Sequence, residues 1–100
     1  MKQYQTVNKP LVYVDILNAV EFYKEINPNL AHQFLFRLKE TVTFIEKAPF
    51  AFQIKYKHVR TALVEQFPYH IHFLIDEKRS CVVILAIIHA HRKPNDYSKR

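Results

Sequence analysis

Residues 81–89 read CVVILAIIH, and every position from Val82 to Ile88 is apolar. A strand with one wet face alternates apolar and polar residues, whereas one apolar at both parities is enclosed. The segment therefore reads as a central strand, and the rest of the chain has to be arranged around it. Its seven-residue apolar run is far short of the ~20 residues a membrane helix needs. A polar turn, DEKRS at 76–80, precedes it, and before that comes YHIHFLID at 69–76. There Tyr69, Ile71, Phe73 and Ile75 alternate with His70, His72 and Leu74, the pattern of a strand with one packed and one partly wet face. Pro68 separates it from another strand-like stretch, VRTALVEQF at 59–67.

The first half has a different period. QYQTV at 3–7 has the β-branched and aromatic character of a short strand. Asn8 and Pro10 then supply an N-cap and a proline in the first turn of a helix. Val12, Ile16, Ala19 and Tyr23 recur at helical spacing to about Ile26. NPN at 27–29 ends that helix and starts the next, with Asn27 as N-cap and Pro28 at the first position. Leu30, Phe34, Leu38, Val42 and Ile45 line one face of this second helix, which runs to about Lys47. Residues 48–57 read as a loop. The order is β-α-α-β-β-β, an α+β fold in which a helical hairpin packs on one side of a small, antiparallel-dominated sheet. One hundred residues suffice for a single domain, 1–100, with one core.

Composition excludes several functions. The chain contains no glycine, so neither a Walker loop nor a dinucleotide fingerprint can bring backbone close to a phosphate. Cys81 is the only cysteine; it forms no internal disulfide, suits a cytoplasmic setting, and at the head of an apolar strand reads as a small buried hydrophobe. The N-terminus lacks the apolar core of a signal peptide. Net charge is +6, distributed unevenly. Residues 1–50 hold six basic and five acidic side chains; residues 51–100 hold nine and four, and five of the six histidines. Such a basic half attracts a polyanion or an acidic partner segment, and it also serves simple solubility.

The sequence resembles the RelE/ParE superfamily of bacterial toxins over nearly its whole length. NKP at 8–10 stands where that family often opens its first helix with Ser-Pro. VRTALVEQFPYHIHFLID is similar to the family's arginine-bearing strand, Phe-Pro-Tyr link and following strand. VVILAIIHAHRKP resembles its last strand, which commonly ends His-x-x-Arg-x-Pro, here His89, Arg92 and Pro94. The resemblance implies the toxin of a type II toxin–antitoxin module, neutralised by an acidic, partly disordered antitoxin that covers the helical hairpin and the basic end of the sheet. It leaves the target open, because fold does not fix function. A ParE-like member inhibits a protein such as DNA gyrase, and a RelE-like member cuts messenger RNA on the ribosome without a metal. A degenerate toxin kept only as an antitoxin-binding module is a third reading.

Metal-free cleavage by 2′-hydroxyl attack needs a base, a cation beside the phosphorane, and an acid for the leaving oxygen. The candidates are His89, Arg92, Arg60 and His72, with Tyr69, His70 and His91 near them. His70 and His72 also satisfy the pattern simply as polar residues on a wet face. Arg60 and Arg92, the family's recurrent arginines, would bind phosphate or partner, or else tie strand ends to Glu21 and Glu25 of the first helix. Tyr69 reads as packing and Tyr97 as part of a frayed tail. His70-x-His72 and His89-x-His91 each place two imidazoles on one strand face, but no cysteine or carboxylate cluster completes a zinc set. No metal or cofactor is expected, and no membrane partner. The RNA-cutting members of the family it resembles commonly carry a dense lysine and arginine array on the first helices and sheet, so the nearly neutral first half favours the ParE-like reading; the histidine-rich sheet favours the RelE-like one.

Overall fold

A computed structural model describes residues 3–100. The elements are β1 (Gln5–Asn8), α1 (Pro10–Ile26), α2 (Pro28–Lys47), β2 (Ile54–Tyr56), β3 (Val59–Leu63), β4 (Tyr69–Asp76) and β5 (Cys81–His89), with 3-10 turns at Pro49–Ala51 and Tyr97–Lys99. The five-stranded sheet has the order β1-β5-β4-β3-β2. β1 runs parallel to β5, and every other pairing is antiparallel. The α+β expectation holds, with one strand more than the sequence suggested.

Asn27 links the two helices. Its backbone is extended, its amide donates to Tyr23 O at 2.9 Å and closes α1, and its side chain accepts from the Asn29 amide and opens α2. Asn8, expected to cap α1, instead ends β1; Lys9 occupies the cap position without a side-chain bond, and Pro10 begins the helix. The pre-set φ of proline offsets the missing cap. Val12, Ala19 and Tyr23 from α1 and Ala31, Phe34, Leu38 and Ile45 from α2 pack on Ile71, Phe73, Val82, Ile84 and Ile87 of the sheet.

Between Pro49 and Tyr56 the expected loop holds a 3-10 turn and the edge strand β2, whose pairing with β3 is irregular. Three residues with a bulge leave no alternation to read. β3 stops at Leu63 rather than at residue 67, because Val64 and Phe67 enter a tight turn with Gln66 left-handed at φ 70°. Lys57 and Ser80 are left-handed too, at 49° and 53°, the cost of turning a chain that has no glycine. Cys81 is partly exposed, its thiol 3.4 Å from Arg79 O, rather than fully buried as expected.

The apolar strand β5 is enclosed as its composition required. Its second face carries a smaller core of Val59, Leu85, Ala86, Ile88 and Tyr97. Tyr97 comes from the C-terminal tail, which folds back over the sheet and leaves that ring only 6% exposed. The expectation of a frayed tail is thus corrected. Its last residue, Arg100, donates to both oxygens of Asp15 in α1, at 2.6 and 3.3 Å, and to Leu85 O at 3.1 Å. Asp15 also accepts the Ile87 amide at 3.0 Å. β1 has ended by this point, so the two side chains serve the open edge of β5 in place of a strand.

Candidate functional site

Strand register decides which candidate residues meet. Across β4 and β5 the partners run Tyr69↔His89, His70↔Ile88, Ile71↔Ile87 and His72↔Ala86, then skip to Phe73↔Ile84. Leu85 is therefore an extra residue, a bulge that reverses side-chain parity along β5. Beyond it Ile87 and His89 face the helices, where simple alternation from Ile84 would have sent them to the opposite face with His72.

His89, Arg92 and Tyr69 consequently gather on the helical side, in a cleft of about 320 Å³ completed by Asp15, Asn18, Ala19 and Phe22 of α1. The rings of Tyr69 and His89 lie 5.2 Å apart, edge to face. The His91 amide donates to His89 Nδ1 at 3.1 Å, which places the imidazole proton of the neutral ring on Nε2. The Arg92 amide donates to His89 O at 3.0 Å, holding the turn after β5. Among the described residues the Arg92 guanidinium has no hydrogen-bond or ion-pair partner, so the alternative of a tie to Glu21 or Glu25 does not form. Burial raises the Tyr69 hydroxyl pKa, and that ring packs on Tyr23 and Phe34. His91 is exposed with its ring 5.3 Å from that of His89.

Arg60 lies elsewhere. It stands opposite Phe73, itself opposite Ile84, five residues before His89 on β5, or roughly 15 Å along the strand. Its guanidinium donates to Phe52 O at 2.6 Å and lies over the Phe50 ring, 5.2 Å from the centroid. It fastens the 50–52 turn to the sheet, and neither Glu21 nor Glu25 pairs with it.

His72 faces the tail. The Tyr56 hydroxyl accepts the Tyr97 amide at 3.3 Å and shares a hydrogen bond with His72 Nδ1, 3.0 Å away. The Tyr97 ring sits 5.0 Å from the imidazole. Burial first, then the positive charge of His70 and Arg100, lowers the His72 pKa to about 4, so the ring is neutral at ordinary pH. His70 and His72 line a wider recess of about 700 Å³ with Lys55, Tyr56, Lys57, Thr61, Pro94, Asn95 and Asp96. Burial and Lys55 lower the His70 pKa. Lys57 pairs with Asp96 and, with Ser98, holds that carboxyl down at about 2. Among the described residues no group of three or more histidine, cysteine or carboxylate side chains converges on a metal-sized site.

The candidates thus fall into two sites on opposite faces of the sheet, with Arg60 apart from both. Asp15, Asn18, Phe22, Tyr56 and Arg100 were missed. Of these, Asp15 carried a signal, since it interrupts the apolar stripe between Val12 and Ala19. The helical-side cleft presents donors, Arg92 and His89 Nε2–H, beside aromatic walls. Its only carboxylate, Asp15, is already engaged by Arg100 and the Ile87 amide.

A helical hairpin on a mixed five-stranded sheet, with a tail returning over the second face, defines a class of small α+β domains. No family model matches the sequence, and no curated protein matches it. Among solved structures, it is similar to a chain of the chromosomal ParDE toxin–antitoxin system from P. aeruginosa, with TM-score 0.77 and 17% identity over 91% of this chain and all of that one. It is also similar to a chain of the RelBE2 toxin–antitoxin complex from Mycobacterium tuberculosis, with TM-score 0.55 and 15% identity over 87% of this chain and 98% of that one. The chain shares its fold with these two chains, the helical hairpin on a small sheet that the sequence resemblance implied.

Proposed function

We propose that the chain is the toxin of a type II toxin–antitoxin module, neutralised by an acidic, partly disordered antitoxin, and that it acts as a ParE-like inhibitor of a protein target such as DNA gyrase. The observation that carries this reading is the agreement in fold with the whole of a ParDE chain at TM-score 0.77. The scatter of the candidate groups supports it. His89 and Arg92 meet beside α1, His72 is held by Tyr56 under the tail, and Arg60 is bound to Phe52 O. These four candidates do not converge on one point as an in-line cleavage through them requires.

A RelE-like, metal-independent endoribonuclease is the second reading, favoured by one observation. The recess on the tail-covered face brings His70, His72 and Tyr56 together with Lys55 and Lys57. In that mechanism His72 would be the base, already neutral, with Lys55 and Lys57 beside the phosphate in place of His89, Arg92 and Arg60, which lie outside the recess. Induction in cells, followed by transcript mapping and plasmid topology gels, separates the readings. DNA-damage signalling and altered supercoiling with intact transcripts are expected. Rapid transcript cleavage that disappears in His72→Ala would overturn the inhibitor reading.

A further inference from the structure

Along α1 the residues Leu11, Val14, Asn18 and Phe22 recur at three- and four-residue spacing and so form one stripe. Leu11, Val14 and Phe22 are 49%, 49% and 55% exposed. The buried side of the same helix is also apolar, so α1 is hydrophobic around most of its circumference, as a helix is when something covers it. The stripe runs into the cleft of His89 and Arg92, where Asn18 and Phe22 belong to both. A surface that is apolar along its length and cationic at one end fits a partner of the opposite arrangement.

We infer that this cleft receives the carboxylate of a glutamate or aspartate from an amphipathic partner segment whose apolar residues lie along Leu11 and Val14. Arg92 supplies a guanidinium with no partner among the described residues, and His89 supplies Nε2–H. Asp15 does not repel the incoming charge, because Arg100 already pairs with it in bidentate fashion. Phosphate fits less well: only Arg92 is a free full charge, and Phe22, Ile87 and Ile88 contribute apolar walls. The inference rests on the antitoxin reading in that it supplies an acidic segment, and it names the anchor of that contact.

The test uses two blocked tripeptides, acetyl-Leu-Glu-Leu-amide and its Gln counterpart, titrated into the full isotope-labelled chain and followed by NMR. The expected result is saturable shifts confined to Asn18, Phe22, His89 and Arg92, with a Kd of about 1 mM. The Gln peptide should bind at least about tenfold weaker. Arg92→Gln, checked by an otherwise unchanged spectrum, should abolish the difference between the two peptides. Acetate alone should bind more weakly than the Glu peptide, because it lacks the apolar flank. Equal binding of both peptides, shifts away from the cleft, tighter binding of inorganic phosphate, or an unaltered Arg92→Gln titration would each overturn the inference. Its failure is distinct from failure of the toxin reading. An Arg92→Gln chain still toxic and still neutralised by a co-expressed antitoxin refutes only the anchor. A chain that binds the Glu peptide yet neither arrests growth nor meets an antitoxin refutes only the toxin reading.

Discussion

The contact between Asp15 and Arg100 joins residues 85 apart in the sequence and can be priced from its geometry. The Asp15 carboxylate is 8% exposed and the Arg100 side chain 18%. Asp15→Ala removes the acceptor of the Ile87 amide, about 1–3 kcal/mol for a buried donor left unpaired, and strips Arg100 of its counter-charge. The total should be about 3–5 kcal/mol, the range for breaking one partner of a buried pair. Against a typical total of about 5–15 kcal/mol this is a large fraction. Arg100→Ala should cost about 2–3 kcal/mol, since Asp15 keeps the Ile87 amide while Leu85 O loses its donor. The double variant should be less destabilised than the sum by about 1–3 kcal/mol. Urea denaturation of the four proteins measures the cycle. Additive losses within about 0.5 kcal/mol, or an Asp15→Ala cost under about 1 kcal/mol, would refute the assignment of these side chains as the closure of the β5 edge.

Two further outcomes follow from single residues. His72 has its pKa lowered to about 4, below the unfolded value of about 6.5, so the unfolded chain takes up the proton first. Its contribution to stability is complete above pH 6.5 and declines as pH falls toward 4, by about 1–2 kcal/mol after allowance for partial exposure. The His72 imidazole resonances should titrate near pH 4, and the tail around Tyr97 should loosen together with them; a midpoint near 6.5 would contradict the cage of Tyr56 and Tyr97. Ser80→Gly relieves the left-handed backbone at φ 53° and should raise stability by about 0.5–1 kcal/mol after the entropic loss of glycine. A lower midpoint in thermal denaturation would show that Ser80 carries no strain.

The order of elements was legible because it depends on local chemistry. Asn27 and Pro28 punctuate two helices through cap and φ preferences, and the apolar spacing of Val12, Ala19, Phe34 and Leu38 identifies their buried faces. The run Val82–Ile88 announced a strand enclosed on both sides. What covers its second face was not legible, since Tyr97 sits in a polar tail with no periodic pattern and is held by Tyr56, a residue of a three-residue strand with irregular pairing.

By itself the sequence determined the α+β class, the hairpin, the interior position of 81–89 and a basic second half. These follow from side-chain periodicity and composition, which each segment carries alone. Only the tertiary structure decided that β1 joins β5 in parallel, that Arg100 returns to Asp15, and that His89 and His72 occupy opposite faces. The physical reason for the last lies at Leu85. One unpaired residue in a strand of period two reverses every side chain beyond it, and pairing, unlike periodicity, belongs to two strands at once.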